Sequence, residues 1–153
     1  MSDFTAINTY QISPEALDTP ELKPEERLWR SVVVTALEDT LIEHSDRKHS
    51  IAKVKAHNWI IGNLSDFQDI CCWANLESDV IISNYRKSLK KGMVTFNKRQ
   101  VLWFKYDRVY QKLKENLSPV QKRHIRSQVK KMRYKIYQTP ATTLSNVFIS
   151  SLF

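Results

Sequence analysis

Leu28, Trp29, Val32, Val33, Ala36, Leu37 and Leu41 recur at three- and four-residue spacing, the period of a helix with a broad apolar face. Pro24 sits where this helix begins, and Glu25 and Glu26 follow, where negative charge suits the positive end of the helix dipole; the period runs to about Glu43. Trp29 falls within the apolar face, which predicts a core residue rather than a ring free to stack on a base. A polar break from His44 to His49 precedes a second helix, capped by Ser50 or a neighbour. Over Ile51–Ile61 that helix sets Ala52, Ala56, Trp59 and Ile60 on one face, turns Lys53 and Lys55 outward, and ends at Gly62-Asn63.

Asp66 then caps a short helix whose one face, Ile70 and Ala74, is small and apolar; Asn75-Leu76 makes a tight corner, and Ser78 caps the next helix. After Lys90-Lys91-Gly92, Met93 to Phe96 form a short extended connector. Asn97 caps a long helix to about Asn116, marked by Leu102, Tyr106, Val109, Tyr110, Leu113 and Leu117. Ser118-Pro119 joins a cap to a proline at the first helical position and opens a last helix to about Gln138. That helix buries Val120 or His124, then Ile125, Val129, Met132 and Ile136. The expected fold class is all-α: a helical bundle with a helix-turn-helix-like unit over residues 23–92 and a basic helical hairpin over 93–138, packed on or beside it. Residues 1–22 keep no helical period and read as a flexible arm or a docking strap; 139–153 form an uncharged tail, either disordered or packed on a partner or the core.

The corner at Asn75 organises the functional reading. A DNA-binding helix-turn-helix needs a small residue where the second helix crosses the first, a corner residue tolerant of positive φ, a buried aliphatic after it, and another about five residues on. Cys71, Asn75, Leu76 and Ile81 fall at those spacings. The exposed face of the second helix then offers Ser83, Asn84, Arg86, Lys87 and Lys90, with Lys91 following. Asn84 suits an adenine edge and Arg86 a guanine, while Ser83, Lys87, Lys90 and Lys91 suit phosphates. An αα-hairpin without a nucleic-acid role has the same pattern.

The residues Leu28-Trp29-Arg30, Ala36, Ala56 and Trp59, Asp66-Phe67, Ile70-Cys71, Ala74 and Leu76 together resemble small uncharacterised helix-turn-helix-like proteins of phages and prophages, over roughly residues 27–90. The resemblance implies a phage or prophage setting. The chain departs from that pattern at Asn75, where glycine is expected, and at Ser78, where proline is common; both substitutions suit a corner and a helix start.

Charge sharpens the picture. The net charge of +8 divides into −6 over residues 1–45, +3 over 46–92 and +11 over 93–153. In the last helix Lys122, Arg126, Lys130 and Arg133 form a stripe about one turn apart, joined by Arg123, Lys131 and Lys135, with no acid among them. Such asymmetry points to a polyanion, double-stranded DNA first and RNA second; a solvated basic face without a ligand is the plain alternative. RNA would suit an antitermination-type adaptor, with Trp103, Phe104, Tyr106 or Tyr134 stacking on bases if exposed. Two other readings are the small subunit of a phage DNA-packaging machine, and an interaction module whose acidic half meets the basic half of another copy. A homo-oligomer fits either.

Other chemistry finds little support. The chain has only two glycines, so Gly-rich phosphate loops are nearly excluded, and no Walker, Rossmann or nucleophile-elbow motif occurs. Cys71 and Cys72 are adjacent and point to different sides of a helix, so no disulfide framework is implied, and a Cys71 in the buried corner predicts an inert thiol. The four histidines and two cysteines lack metal-ligand spacing, and His49 and His57 read as polar surface. Glu38-Asp39, Asp66 with Asp69, and Glu77 with Asp79 read as solvated or dipole-facing acids rather than a catalytic pair. The expectation is therefore a non-enzyme with no cofactor, metal, small-molecule substrate or membrane span. The polar opening lacks a secretory pattern, which predicts the cytoplasm of a bacterial or phage-infected cell.

Overall fold

A computed structural model describes residues 11–17 and 21–144, which form an all-helical bundle with no strand among them. Six helices carry the fold: α1 Pro24–Asp39, α2 Arg47–Gly62, α3 Ser65–Trp73, α4 Ser78–Lys90, α5 Lys98–Gln111 and α6 Pro119–Gln138. A single turn, Pro14–Leu17, precedes them, and a 3-10 turn, Lys112–Lys114, follows α5.

Side-chain caps fix several of the starts. The side chains of Asn97 and Ser118 each accept from the N–H of the glutamine three residues on, and their own N–H donates to that glutamine's side-chain oxygen, at 2.9–3.2 Å. Before Pro24 the Lys23 N–H donates to the Glu26 carboxylate at 3.2 Å. The cap of α2 is Asp46 rather than Ser50: its carboxylate accepts the His49 N–H at 3.3 Å, so the helix begins within the expected polar break. Asp66 and Ser78 are not caps either. They lie inside first turns that begin after Leu64 and Glu77, and the Asp66 carboxylate instead accepts from the Trp59 indole at 2.8 Å.

The helix α2 is the hub, packed against α1 on one side and α5 on another. One core cluster runs from Val33 and Leu37 of α1 through Val54 and Ile60 of α2, Phe67 and Cys71 of α3 and Ile81, Tyr85 and Leu89 of α4 to Phe104 of α5. A second joins Trp103 and Tyr106 of α5 to Ile125, Val129 and Ile136 of α6. Thus α5 serves both, with Phe104 on one side and Trp103 and Tyr106 on another, and the basic hairpin is docked through it. Neither Val120 nor His124, one of which is expected inside, is buried, and α6 buries residues only from Ile125 on. In the N-terminal arm Ile12 and Ser13 are buried and Ser88 donates to the Ile12 carbonyl at 3.5 Å, so this part is a docked strap. The tail is tied to the connector as far as Leu144, whose N–H donates to the Phe96 carbonyl at 2.8 Å. Its last residues, 145–153, lie outside the described ones, as do residues 1–10 and 18–20 of the arm.

Two expectations for α2 are overturned. His57 is fully buried, with Nδ1 2.8 Å from the Tyr85 hydroxyl. Lys53, expected outside, is 3% exposed; its ammonium donates to the carbonyls of Ile42 (2.8 Å) and Thr95 and lies 4.8 Å from the Phe96 ring centroid. The segment leaving α1 and the connector after α4 meet α2 there, and one carbonyl from each supplies the acceptors that a buried ammonium needs.

Desolvation holds the Lys53 amine down at about 8, partly opposed by Glu43. An unfolded lysine keeps its proton to about pH 10, so between those values the unfolded chain binds more protons than the folded one, and stability rises with pH. Cys71 opposes this from about pH 9, because burial pushes its thiol up to about 11. From about pH 8 to about pH 9 the urea midpoint should rise by the equivalent of about 1 kcal/mol, and Lys53→Met should remove the rise. Parallel pH curves for the two chains would contradict a buried ammonium at this position.

Candidate nucleic-acid interface

The corner between α3 and α4 carries the geometry that its spacing predicts. Asn75 adopts φ +55°, and the Leu76 N–H donates back to the Cys71 carbonyl at 2.8 Å, closing the turn over the end of α3. Cys71, Ala74, Leu76 and Ile81 are all buried beneath it. An L-residue other than glycine pays for a left-handed backbone, asparagine less than most, so the turn needs external support. Arg30 of α1 supplies it: the guanidinium, 7% exposed, donates to the carbonyls of Ala74 (3.0 Å) and Asn75 (3.2 Å). Burial lowers the Arg30 pKa and nearby Glu26 opposes that.

Beyond the corner, α4 turns Ile81, Ile82, Tyr85, Ser88 and Leu89 into the core. The hydrogen bond between Tyr85 and His57 pins the helix to α2. Ser83, Arg86, Lys87 and Lys90 project outward with Lys91 after them. Asn84 does not join this face fully: it is half-buried, and its amide nitrogen is enclosed with no acceptor among the described residues. Alongside the outer face runs a groove of about 450 Å³, bounded by Ile61 and Asn63 of α2 and by Asp79, Ser83, Arg86, Lys87 and Lys90 of α4. Glu77 and Asp79 mark the start of α4 and the bases its last two turns, so the charge along the helix is graded.

On α6, Arg123, Arg126, Lys130, Lys131 and Lys135 are exposed and Lys122 is half-exposed. Arg133 is exposed as well, but it is tied to α5: it donates to the Tyr106 hydroxyl at 2.6 Å and lies 5.6 Å from that ring's centroid. That bond and the phenol's charge when ionised raise its pKa. The α4 and α6 bases therefore form two surfaces, one reached through the corner and one through α5. Of the aromatic side chains considered for base stacking, Trp103, Phe104 and Tyr106 are buried; Tyr134 is exposed, and so is Tyr137. Trp29 is half-buried against Trp73, centroids 4.9 Å apart.

Arg30, Arg47 and Arg99 are the important cations that the periodicity does not single out. Arg30 carries a usable signal, since it stands three and seven residues before Val33 and Leu37 on the buried face of α1. Among the described residues no three of His, Cys, Asp and Glu come close enough to hold a metal, and no helix is long and apolar enough to cross a membrane. Comparison of the chain with protein-family models, curated proteins and solved structures gives no match.

Removing the Arg30 guanidinium leaves two corner carbonyls without their donor. Arg30→Met should cost about 1.5–3 kcal/mol of unfolding free energy, the range for hydrogen bonds to a charged group. Asn75→Gly should be neutral or stabilising, and Asn75→Val should lose about 1–2 kcal/mol. Urea titration reads all three; an Arg30→Met chain within about 0.5 kcal/mol of the native sequence would show that the corner holds without α1.

Proposed function

We propose that this protein binds double-stranded DNA through the outer face of α4, as a phage-type transcriptional regulator, without catalysis or a cofactor. The observation that carries the reading is the corner: a left-handed Asn75 over a buried Cys71, Leu76 and Ile81, followed by a helix whose outer face is polar and basic. That arrangement presents a helix to a major groove, which admits one helix and displays a distinct edge for each base pair.

The grading of charge along α4 sets how it approaches. Glu77 and Asp79 repel phosphates at its start, so the last two turns, with Arg86, Lys87, Lys90 and Lys91, come nearest the backbone. Arg86 takes the role of base reader, bidentate to a guanine, and Ser83 beside it can reach a neighbouring edge or phosphate. Asn84, with its amide nitrogen enclosed, is left to position the helix rather than to read adenine. The α6 bases add affinity without sequence preference. An RNA-binding reading is weaker on this geometry, because three of its four stacking candidates are buried.

Anisotropy titrations against duplex DNA, single-stranded DNA and structured RNA over a salt series test this. Duplex should bind tightest, and Arg126→Ala/Lys130→Ala should lower the log–log salt slope by about two with little change in preferred sequence. Arg86→Ala should cost about tenfold on a selected site and much less on random duplex. Equal binding of all three polyanions, or none at low salt, would remove the proposal.

A further inference from the structure

Three arginines from three different elements meet around one cavity. It has a volume of about 730 Å³ and is lined by His44, Asp46, Arg47, Arg99, Arg133 and Tyr137, with Trp103 and Ile136 at its base. None of these residues belongs to α4, so the cavity is separate from the face proposed to meet duplex DNA.

Each guanidinium is held in place by the protein. Arg47, at the start of α2, lies 5.0 Å from the centroid of Tyr106 and 4.9 Å from that of Tyr110, two rings stacked within 16° of parallel. Arg133 lies against the same Tyr106 ring and donates to its hydroxyl. Arg99 is anchored by Nε to the Thr139 carbonyl at 2.6 Å and by one terminal nitrogen to the Tyr137 carbonyl at 3.3 Å. Among the described residues none of the three pairs with a carboxylate, and Asp46, the only acid lining the cavity, is bound to His49 with Nδ1 and Oδ1 2.7 Å apart. A guanidinium held by one edge still offers others in the fork geometry that fits phosphate. Tyr137, 65% exposed, adds an aromatic ring at the rim.

We infer that this cavity binds a nucleoside phosphate, with the phosphate among Arg47, Arg99 and Arg133 and the base against Tyr137. The cavity has the volume of a small-molecule site, and cations plus an exposed ring are the two contacts a nucleotide makes apart from base edges. The same chemistry is offered by a free mononucleotide and by the phosphorylated end of a strand.

Calorimetry on the full chain with adenosine monophosphate, adenosine, inorganic phosphate and a single-stranded tetranucleotide with or without a 5′-phosphate tests this. Adenosine monophosphate should bind at least about tenfold tighter than adenosine, and Arg47→Gln and Arg133→Gln should each weaken it by about tenfold. Tyr137→Ala, at an exposed position, should weaken adenosine monophosphate about threefold or more and leave inorganic phosphate unchanged. Binding of the 5′-phosphorylated tetranucleotide but not its unphosphorylated twin assigns a strand end; binding of the mononucleotide without the tetranucleotide assigns a free nucleotide. Adenosine binding as tightly as its monophosphate, no heat with any phosphate ligand, or unchanged affinity in the arginine and tyrosine variants would overturn the inference. Arg86→Ala should leave all these affinities intact, so failure at either surface is read separately.

Discussion

The hydrogen bonds from Arg30 to the carbonyls of Ala74 and Asn75 decide how the first four helices meet. With just two glycines in the chain, the left-handed corner falls to an asparagine, whose backbone strain must be offset from outside the turn. The guanidinium reaches it from the buried face of α1, so that helix supports the corner as well as contributing Val33 and Leu37 to the core. The direction in which α4 leaves α3, and hence what its outer face can meet, follows from that support.

Buried polar groups repeat the same logic elsewhere. Lys53 ties α2 to the segments after α1 and α4, Gln100 donates from α5 to the carbonyls of Ile42 and His44 at 3.1 Å each, and His57 joins α2 to Tyr85 of α4. Each takes up backbone or side-chain atoms that would otherwise be buried without partners. Apolar packing alone tolerates several arrangements of helices; these bonds favour one, and they centre on α2 and the segment that leads into it. The second cluster, around Tyr106, is held on the same frame through α5.

Legibility in the sequence divides along this line. Helices α5 and α6 were readable because proline, asparagine and serine caps coincide with a clear apolar period, and the corner was readable because its four positions have strict steric demands. The face of α2 was not: its buried set includes Ser50, Lys53 and His57, residue types that periodicity assigns to solvent, and their partners come from distant parts of the chain. The same reason hides the arginine cavity. Arg47, Arg99 and Arg133 are separated by dozens of residues and brought together only when α5 packs between α2 and α6. Conversely, Asn84 looks like a reader from helical spacing, but it is half-buried with its amide nitrogen enclosed, which spacing alone does not reveal.

The basic surfaces thus have distinct physical characters. The outer face of α4 is open and graded in charge, suited to lie along a duplex; α6 is a solvated stripe suited to phosphates in general; the cavity is concave, with cations fixed in place. On the proposed reading, α4 is the face that docks. Backbone amide shifts recorded during titration with a duplex test it most directly. The largest shifts should run from Ser83 to Lys91 and along the flanking corner, with weaker, salt-sensitive shifts on α6. Shifts confined to α6, with α4 and the corner unmoved at saturation, would contradict it.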